Sequence, residues 1–395
     1  MKHYPFLEPL TLNNGITLKN KIVMSPMTTM SSFYNGMISD DELDYYSIRS
    51  SGPGMVITAV ANVTDDGKGF EGELSVSNDD MIPGLKQLAD VIKKDDTKAI
   101  LQIFHAGRKS NSKILRGNKP VAPSSIAAVY PVDSETPKEL TDEEIHDIIK
   151  AFGQATKRAI LAGFDGVELH GANTYLLQQF YSENSNQRTD KWGGSREKRL
   201  TFAMEVLKEV HEIVEEFSNP SFIIGYRMSP EEIEKPGITL EDSLYFADKI
   251  KNKVSYLHLS IGSYKRTSLN NPNDKTPIIT QFAKTLDNQI PLIGVGSVES
   301  PEDAEHVLSY GGNLIAIGRE LIREPKWVQK VQSGDLASLR TSISPFDLDE
   351  LKIPRVMQTY LKESFYDVMN FTTDKKNGSN YQSKLAPMEG FEKKL

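Results

Sequence analysis

Short runs of consecutive apolar residues alternate along the chain with longer segments in which apolar residues recur every three or four positions. A continuous apolar run is typical of a strand buried on both faces, and the wider spacing is typical of a helix with one buried face. The predicted strands cover residues 21–25, 55–60, 98–104, 165–170, 222–228, 254–260, 291–295 and 314–317. Because helical segments separate them, neighbouring strands are expected to run parallel.

The intervening helices carry recognisable start signals. Thr141 with Glu144 forms a capping-box pattern, and Ser300 precedes a proline at the first helical position. Helices are predicted over residues 40–49, 83–94, 142–162, 200–217, 240–251, 278–286 and 301–308, with a closing helix around Trp327. Eight strands that alternate with helices indicate a (β/α)8 TIM barrel, and an open doubly wound sheet is the alternative.

Two segments depart from this alternation. Residues 106–140 contain four prolines among small and polar residues, which predicts a long loop or hairpin insertion after the third strand. Residues 373–395 are polar and rich in lysine, which indicates a C-terminal tail. We therefore expect one barrel domain over residues 1–372 and a tail beyond it.

Composition excludes several function classes. The chain has 395 residues with a net charge of −8, which argues against a nucleic-acid or anionic-membrane binder. No apolar run approaches the roughly 20 residues that span a bilayer, and no signal-peptide pattern opens the chain, so a cytoplasmic protein is predicted. The absence of cysteine excludes disulfides, thiolate catalysis and iron–sulfur clusters.

Candidate chemistry follows the fourth predicted strand. Active sites of such barrels lie at the carboxyl ends of the strands, and His170, Asn173 and Tyr175 come directly after one. Two neutral donors suit a carbonyl or phenolate oxygen, and a nearby phenol can supply a proton. Taken singly, each has a structural explanation: a buried histidine, a turn asparagine and a packed tyrosine. No carboxylate follows at metal-ligand spacing, so no metal site is predicted.

The last two strands predict a phosphate site. Gly294 and Gly296 precede Ser297 and a capped helix, and Gly318 precedes Arg319. Glycine loops after these two strands of a barrel often hold phosphate through backbone N–H groups, and an arginine adds a matching fork. The alternative is that the glycines only form tight turns. A phosphorylated ligand or cofactor is the favoured interpretation.

Six segments together resemble the old yellow enzyme family of FMN-dependent ene reductases, which are (β/α)8 barrels. The matching segments are 21–28 (KIVMSPMT), 101–108 (LQIFHAGR), 162–170 (AGFDGVELH), 185–195 (SNQRTDKWGGS), 225–227 (GYR) and 294–319. They occur in the family's order between about residues 5 and 335 of this chain. The resemblance implies bound FMN, NADH or NADPH as co-substrate, and no metal.

The resemblance also implies residue roles. Residues lining the flavin would be Ser25, Pro26, Met27 and Thr28, with Val60, Gln102 and Arg227 at the isoalloxazine ring. The FMN phosphate would be held by Gly296, Ser297, Gly318 and Arg319. His170 and Asn173 would bind the activating oxygen of the substrate, Tyr175 would donate the proton, and Phe104 would line the substrate pocket.

The activity implied is ping-pong hydride transfer through flavin N5 to the activated C=C of an α,β-unsaturated carbonyl or nitro compound. The chain departs from one branch of the family, which has cysteine, tyrosine and histidine at the positions of Thr28, Met30 and Asn173. Thr28 and the pair of His170 with Asn173 match the fungal and plant-like branch, whereas the loop 105–108 resembles the bacterial branch. Substrate preference and homo-oligomer formation are left open.

Two other functions are compatible with the residues alone. One is a cofactor-free barrel lyase or isomerase that binds a phosphorylated substrate through Arg319. The other is a flavin-binding sensor or assembly component with incidental activity. Flavin absorption bands in the purified protein would exclude the first function, and steady-state turnover of enones would exclude the second.

Overall fold

The computed structural model describes residues 2–372. The predicted C-terminal tail, residues 373–395, lies outside the described residues.

Eight parallel strands form the centre of the molecule, and we number them β1 to β8. They are β1 (Ile22–Met24), β2 (Met55–Asn62), β3 (Lys98–Phe104), β4 (Gly166–Gly171), β5 (Ile223–Met228), β6 (Tyr256–Leu259), β7 (Leu292–Val295) and β8 (Leu314–Ile317). Each strand pairs with its neighbours in chain order, and β1 also pairs with β8. The sheet therefore closes on itself, which confirms the (β/α)8 barrel and rules out the open sheet.

Helices surround the strands as the spacing of apolar residues predicted. They are α1 (Asp40–Ser47), α2 (Ile82–Lys93), α3 (Asp142–Leu161), α4 (Leu176–Tyr181), α5 (Arg196–Arg199), α6 (Thr201–Phe217), α7 (Leu240–Ile250), α8 (Ile278–Leu286), α9 (Pro301–Ser309), α10 (Arg319–Arg323), α11 (Trp327–Ser333) and α12 (Arg355–Ser364). Both predicted caps are present: Thr141 and Glu144 exchange capping-box hydrogen bonds, and Ser300 does the same with Asp303.

Short elements complete the described chain. Strands Leu10–Thr11 and Thr17–Leu18 form an antiparallel pair, and Leu74–Ser75 extends the sheet beside β2. Short 3-10 helices are Pro5–Leu7, Asp65–Gly67, Asp79–Met81, Gly107–Lys109 and Leu336–Ser338. In the insertion after β3, Val121–Ala122 and Lys138–Glu139 pair in parallel. A hairpin needs antiparallel strands, so the insertion is a loop.

The segment after α11, which the sequence analysis left without an element, is joined to the barrel by Arg49. This side chain is fully buried, and its guanidinium donates to the backbone carbonyls of Leu321 (3.0 Å), Ile322 (3.1 Å) and Leu351 (2.8 Å). Burial lowers the pKa of Arg49 to about 10, so it stays charged at neutral pH. It also donates to the carbonyl of Tyr45 at 2.9 Å, so one cation holds four backbone carbonyl groups.

No helix within residues 2–372 is both long enough and apolar enough to cross a membrane.

Replacing Arg49 with methionine should destabilise the protein by at least about 2 kcal/mol, because buried carbonyls lose a charged donor. The free energy of unfolding, measured by urea denaturation, tests this. The matched control is Lys352→Ala, which removes an exposed ion pair with Asp44 (3.1 Å) in the same region. The control should cost less than about 1 kcal/mol. Equal effects of the two substitutions would contradict the anchoring role of Arg49.

Candidate active site

A cleft of about 330 Å³ opens at the carboxyl ends of the strands. It brings together residues that are far apart in the chain, because closure of the barrel points all eight strand ends to one face. The sequence-predicted residues that line it are Ser25, Pro26, Met27, Thr28, Val60, Gln102, His170, Asn173, Tyr175, Arg227, Gly296, Ser297, Gly318 and Arg319.

Phe104 is the predicted site residue that does not line the cleft. Its ring is fully buried and packs edge-on against Tyr175, with 4.7 Å between ring centroids. It also lies 6.1 Å from the imidazole of His170. Phe104 therefore supports the two polar rings from behind, whereas the family resemblance placed it in the pocket wall.

His170, at the end of β4, is a neutral hydrogen-bond donor toward the cleft. Its Nδ1 accepts a hydrogen bond from the backbone N–H of Ala172 at 3.2 Å, so the ring proton is on Nε2. Burial, together with the positive charge of Arg227, lowers the pKa of His170 well below its ordinary value. The imidazole therefore stays uncharged at neutral pH and offers Nε2–H.

Asn173 offers a second neutral donor. The hydroxyl of Ser260, just after β6, donates to Asn173 Oδ1 at 2.8 Å. The carboxamide oxygen is thereby occupied, and the Nδ2 amino group remains for a ligand in the cleft. The backbone N–H of Asn173 donates to the hydroxyl of Ser229 at 3.0 Å, which fixes the turn against the end of β5.

The turn that carries these groups has an unusual backbone. Asn173 and Thr174 both have positive φ, at 55° and 63°. Such a conformation is unfavourable for residues with a Cβ and persists only when surrounding contacts hold it. Gln178 Oε1 accepts from the backbone N–H of Thr174 at 3.0 Å, and Gln179 Nε2 donates to the carbonyl of Thr174 at 2.7 Å. Two glutamines of α4 thus hold the turn.

Tyr175 stands at the start of α4 with its ring edge-on to His170, 5.0 Å between centroids. Burial raises the pKa of its hydroxyl, and the nearby Glu73 and Tyr360 raise it further. The phenol therefore keeps its proton throughout the neutral range. A protonated hydroxyl beside two neutral donors can bind an oxygen and deliver a proton close to it.

At the other end of the cleft, the loops after β7 and β8 form an open cradle. Arg319 donates to the hydroxyl of Ser297 at 2.6 Å, and that hydroxyl donates to the carbonyl of Gly262 at 2.9 Å. Gly296 has a φ of 109°, and a Cβ there would lie 2.5 Å from the backbone nitrogen of Ser263. Only glycine fits this position, which brings backbone and guanidinium together as a phosphate site requires.

One wall of the cleft was not predicted from the sequence. Its residues belong to α12 and the turn after it: Met357, Tyr360, Leu361, Phe365, Val368 and Met369. The signal that could have revealed α12 is the spacing of Met357, Tyr360 and Leu361 after Pro354, which is that of one helical face. Phe70 and Lys109, on the loops after β2 and β3, also line the cleft and were not predicted.

Comparison with known proteins identifies the family. A family model described as the NADH:flavin oxidoreductase / NADH oxidase family matches residues 5–337. This chain belongs to that family. YqiG of Bacillus subtilis (strain 168), named as a probable NADH-dependent flavin oxidoreductase, is 42% identical over 354 residues, which are 89% of this chain and 94% of YqiG. Within the NADH:flavin oxidoreductase family, the resemblance to old yellow enzymes is confirmed.

Some relatives in the NADH:flavin oxidoreductase family are much longer. The NADH:fumarate oxidoreductase of Klebsiella pneumoniae (strain 342) is 43% identical over 353 residues, which cover 88% of this chain but only 38% of that protein. Morphinone reductase has the same fold, with a TM-score of 0.73 and 24% identity, over 87% of this chain and 92% of that one. Membership makes the chain an oxidoreductase that uses a flavin and NAD(P)H.

The cleft fits the FMN of this flavin oxidoreductase family. The cradle at Gly296 and the Ser297–Arg319 pair suit a phosphate, and Gly318 leaves space beside Met27, whose sulfur would lie 2.9 Å from an added Cβ. Arg227 is buried and lines the same cleft, so it brings a positive charge that suits an electron-rich ring. Within residues 2–372 no group of three or more His, Cys, Asp or Glu is arranged to hold a metal ion.

Ser260→Ala should weaken binding of a phenolic ligand by roughly threefold to tenfold, because the carboxamide of Asn173 loses the bond that orients it. Titration of the flavin absorbance with a phenol measures the dissociation constant. Ser263→Ala is the control, because Ser263 lies in the same loop after β6 but its hydroxyl accepts from the backbone N–H of Lys265 (3.3 Å), and phenol binding should stay within about twofold. An unchanged dissociation constant in Ser260→Ala would contradict the orienting role.

Proposed function

We propose that this chain is an FMN-dependent ene reductase that uses NADH or NADPH to reduce the C=C bond of α,β-unsaturated carbonyl or nitro compounds. The observation that carries the proposal is the group of three side chains after β4. His170 and Asn173 offer two neutral donors, and Tyr175 holds a protonated hydroxyl next to them.

His170 and Asn173 would bind the carbonyl or nitro oxygen of the acceptor. Negative charge gathers on that oxygen as hydride adds to the β-carbon, and fixed donors in a site shielded from water stabilise it. Nδ1 of His170 and Oδ1 of Asn173 already accept hydrogen bonds from the protein, so Nε2–H of His170 and the Nδ2 amino group of Asn173 are the groups left to face the oxygen. The two donors are thus arranged before the substrate arrives.

Tyr175 would protonate the α-carbon. Its raised pKa makes it a weak acid, so it holds the proton until carbanion character develops at a nearby carbon. Phe104 and His170 pack against the ring and limit its movement. The hydroxyl is therefore presented at one place relative to the two oxygen-binding donors.

The remaining predicted residues would bind the cofactor. Ser297 and Arg319 would hold the phosphate, and Arg227 would offset negative charge on the ring. Bound FMN supplies the hydride carrier between the nicotinamide nucleotide and the acceptor.

Membership in a flavin oxidoreductase family argues against a cofactor-free lyase or isomerase. Two relatives are named for fumarate and acrylate, and both compounds have a C=C bond conjugated to a carboxylate. This chain covers only 38% and 35% of those two proteins. We therefore include fumarate and acrylate only as two members of a panel of acceptors to be tested. Turnover of acceptors in that panel separates an ene reductase from a flavin-binding sensor.

Tyr175→Phe should slow reoxidation of the reduced enzyme by an enone by roughly 10²- to 10⁴-fold, which is the range for loss of a general acid. Reduction by NAD(P)H should stay within about threefold, because that half-reaction needs no proton from the phenol. Stopped-flow absorbance follows the two half-reactions separately. Full-speed reoxidation of the variant by the enone would exclude Tyr175 as the proton donor.

Tyr360→Ala should enlarge the cleft and favour bulkier acceptors, because Tyr360 lines it from α12. We expect kcat/KM for a ring-substituted cyclohexenone to rise relative to cyclohexenone by roughly tenfold, the scale of a pocket contact of about 1–3 kcal/mol. Thr359→Ala, an exposed neighbour on the same helix, is the matched control and should leave the ratio unchanged. An unchanged ratio in Tyr360→Ala would show that α12 does not limit acceptor size.

A further inference from the structure

One ionisable group inside the barrel has no part in the proposed reaction. Glu168 lies in β4, two residues before His170, and its side chain is fully buried. Its Oε1 accepts a hydrogen bond from Gln102 Nε2 at 2.6 Å. Its Oε2 accepts from the hydroxyl of Tyr256 at 3.0 Å and from His258 Nδ1 at 2.9 Å. Both carboxylate oxygens are therefore held by side chains from β3 and β6.

Glu168 is ionised at neutral pH. Burial by itself would raise the pKa of this carboxyl group, but His258, Arg227 and the hydrogen bond from Gln102 outweigh burial and lower it. An ionised carboxylate has no proton to donate and acts only as an acceptor. The donors in this network must therefore be its neighbours.

This fixes the side-chain amide of Gln102. Its Nε2 amino group faces Glu168, so its Oε1 must point the other way. Gln102 lines the cleft and sits opposite Glu168 in the register of β3 and β4. The end of the Gln102 amide that is left for a ligand in the cleft is therefore its oxygen, which is an acceptor. Arg227 lines the same cleft and supplies only donors.

Gln102 thus offers an acceptor and Arg227 offers donors in the same cleft. Together they match the polar edge of a flavin ring. That edge carries one ring N–H between two carbonyl oxygens. If Gln102 were turned over, its amino group would meet the ring N–H, and two donors would face each other. Burying two donors that face each other without an acceptor costs free energy. The orientation of the Gln102 amide therefore decides whether the cleft can bind this edge of the flavin ring.

We propose that Glu168 is a positioning residue that holds Gln102 with its carboxamide oxygen toward the N–H of the flavin ring, and so increases the affinity for FMN. The proposal depends on flavin binding and not on the identity of the acceptor. Glu168 itself is absent from the lining of the cleft, so it acts on the cofactor through Gln102.

The test is a double-mutant cycle on FMN affinity. The variants are Glu168→Gln, Gln102→Ala and the double variant, each freed of FMN and titrated back with FMN while flavin fluorescence is recorded. The carboxamide introduced by Glu168→Gln can both donate and accept, so it no longer selects one orientation of the Gln102 amide. We expect this change alone to raise the dissociation constant roughly tenfold, the scale of one hydrogen bond. In the Gln102→Ala background the same change should have less than about a twofold effect.

Tyr256→Phe is the matched control. It removes a different hydrogen bond to Glu168 and leaves the bond from Gln102 in place, so the FMN dissociation constant should stay within about twofold. Thermal melting of each apoprotein checks that the variants are folded. If Glu168→Gln does not fold, Glu168→Asp takes its place in the cycle, because it keeps the charge while withdrawing the carboxylate from Gln102.

The outcomes separate the possible roles. Non-additive losses support the positioning role. Equal losses in both backgrounds would mean that Glu168 acts independently of Gln102, and an unchanged dissociation constant would mean that it does not act on FMN; either overturns the proposal. Failure of the unmodified protein to bind FMN would overturn the flavin site as well. Turnover is not part of the readout, so an error in the acceptor class would leave this result intact.

Discussion

Closure of the parallel sheet is the constraint on which the rest of the structure depends. β1 and β8 are separated by almost the whole barrel sequence, yet the backbone N–H of Ser25 donates to the carbonyl of Ile317 at 2.9 Å. Because every strand runs in the same direction, every loop that follows a strand reaches the same face. A cofactor cradle from β7 and β8 and an oxygen-binding turn from β4 thus meet in one cleft although they are far apart in sequence.

The sequence predicted the parts of this arrangement that depend on local pattern. Continuous apolar runs and capped helices place the strands, and strand order then follows from chain order in a closed barrel. The resemblance to a known family, not the local pattern, named most of the fifteen candidate site residues, and fourteen of the fifteen line one cleft. Phe104, which the resemblance placed in the pocket wall, lies behind Tyr175 instead, because the depth of a ring depends on how its neighbours pack around it. The spacing of Met357, Tyr360 and Leu361 could have revealed α12 as a helix, but it does not show that α12 lines the cleft, because the residues on the opposite wall are distant in the sequence.

The orientation of the two carboxamides is another property that no residue pattern contains. Asn173 is held by its oxygen, through Ser260, and Gln102 is held by its nitrogen, through Glu168. The same functional group therefore acts as a donor at one place in the cleft and as an acceptor at another. In each case the partner lies on another strand or at its end, so the assignment requires the register of the barrel. Fixing each amide in advance removes the cost of ordering it when a ligand binds.

The cleft is thus made by two parts of the chain that differ in their relation to the family. The family model matches the chain as far as residue 337. The matched residues include the cradle, the side chains of Gln102 and Arg227, and the turn after β4. The wall formed by Met357, Tyr360 and the residues up to Met369 lies beyond residue 337. Under the proposed function, the first part would supply the donors, the proton and the charges. The second part would set the space available to the acceptor, because its apolar and aromatic side chains line the same cleft.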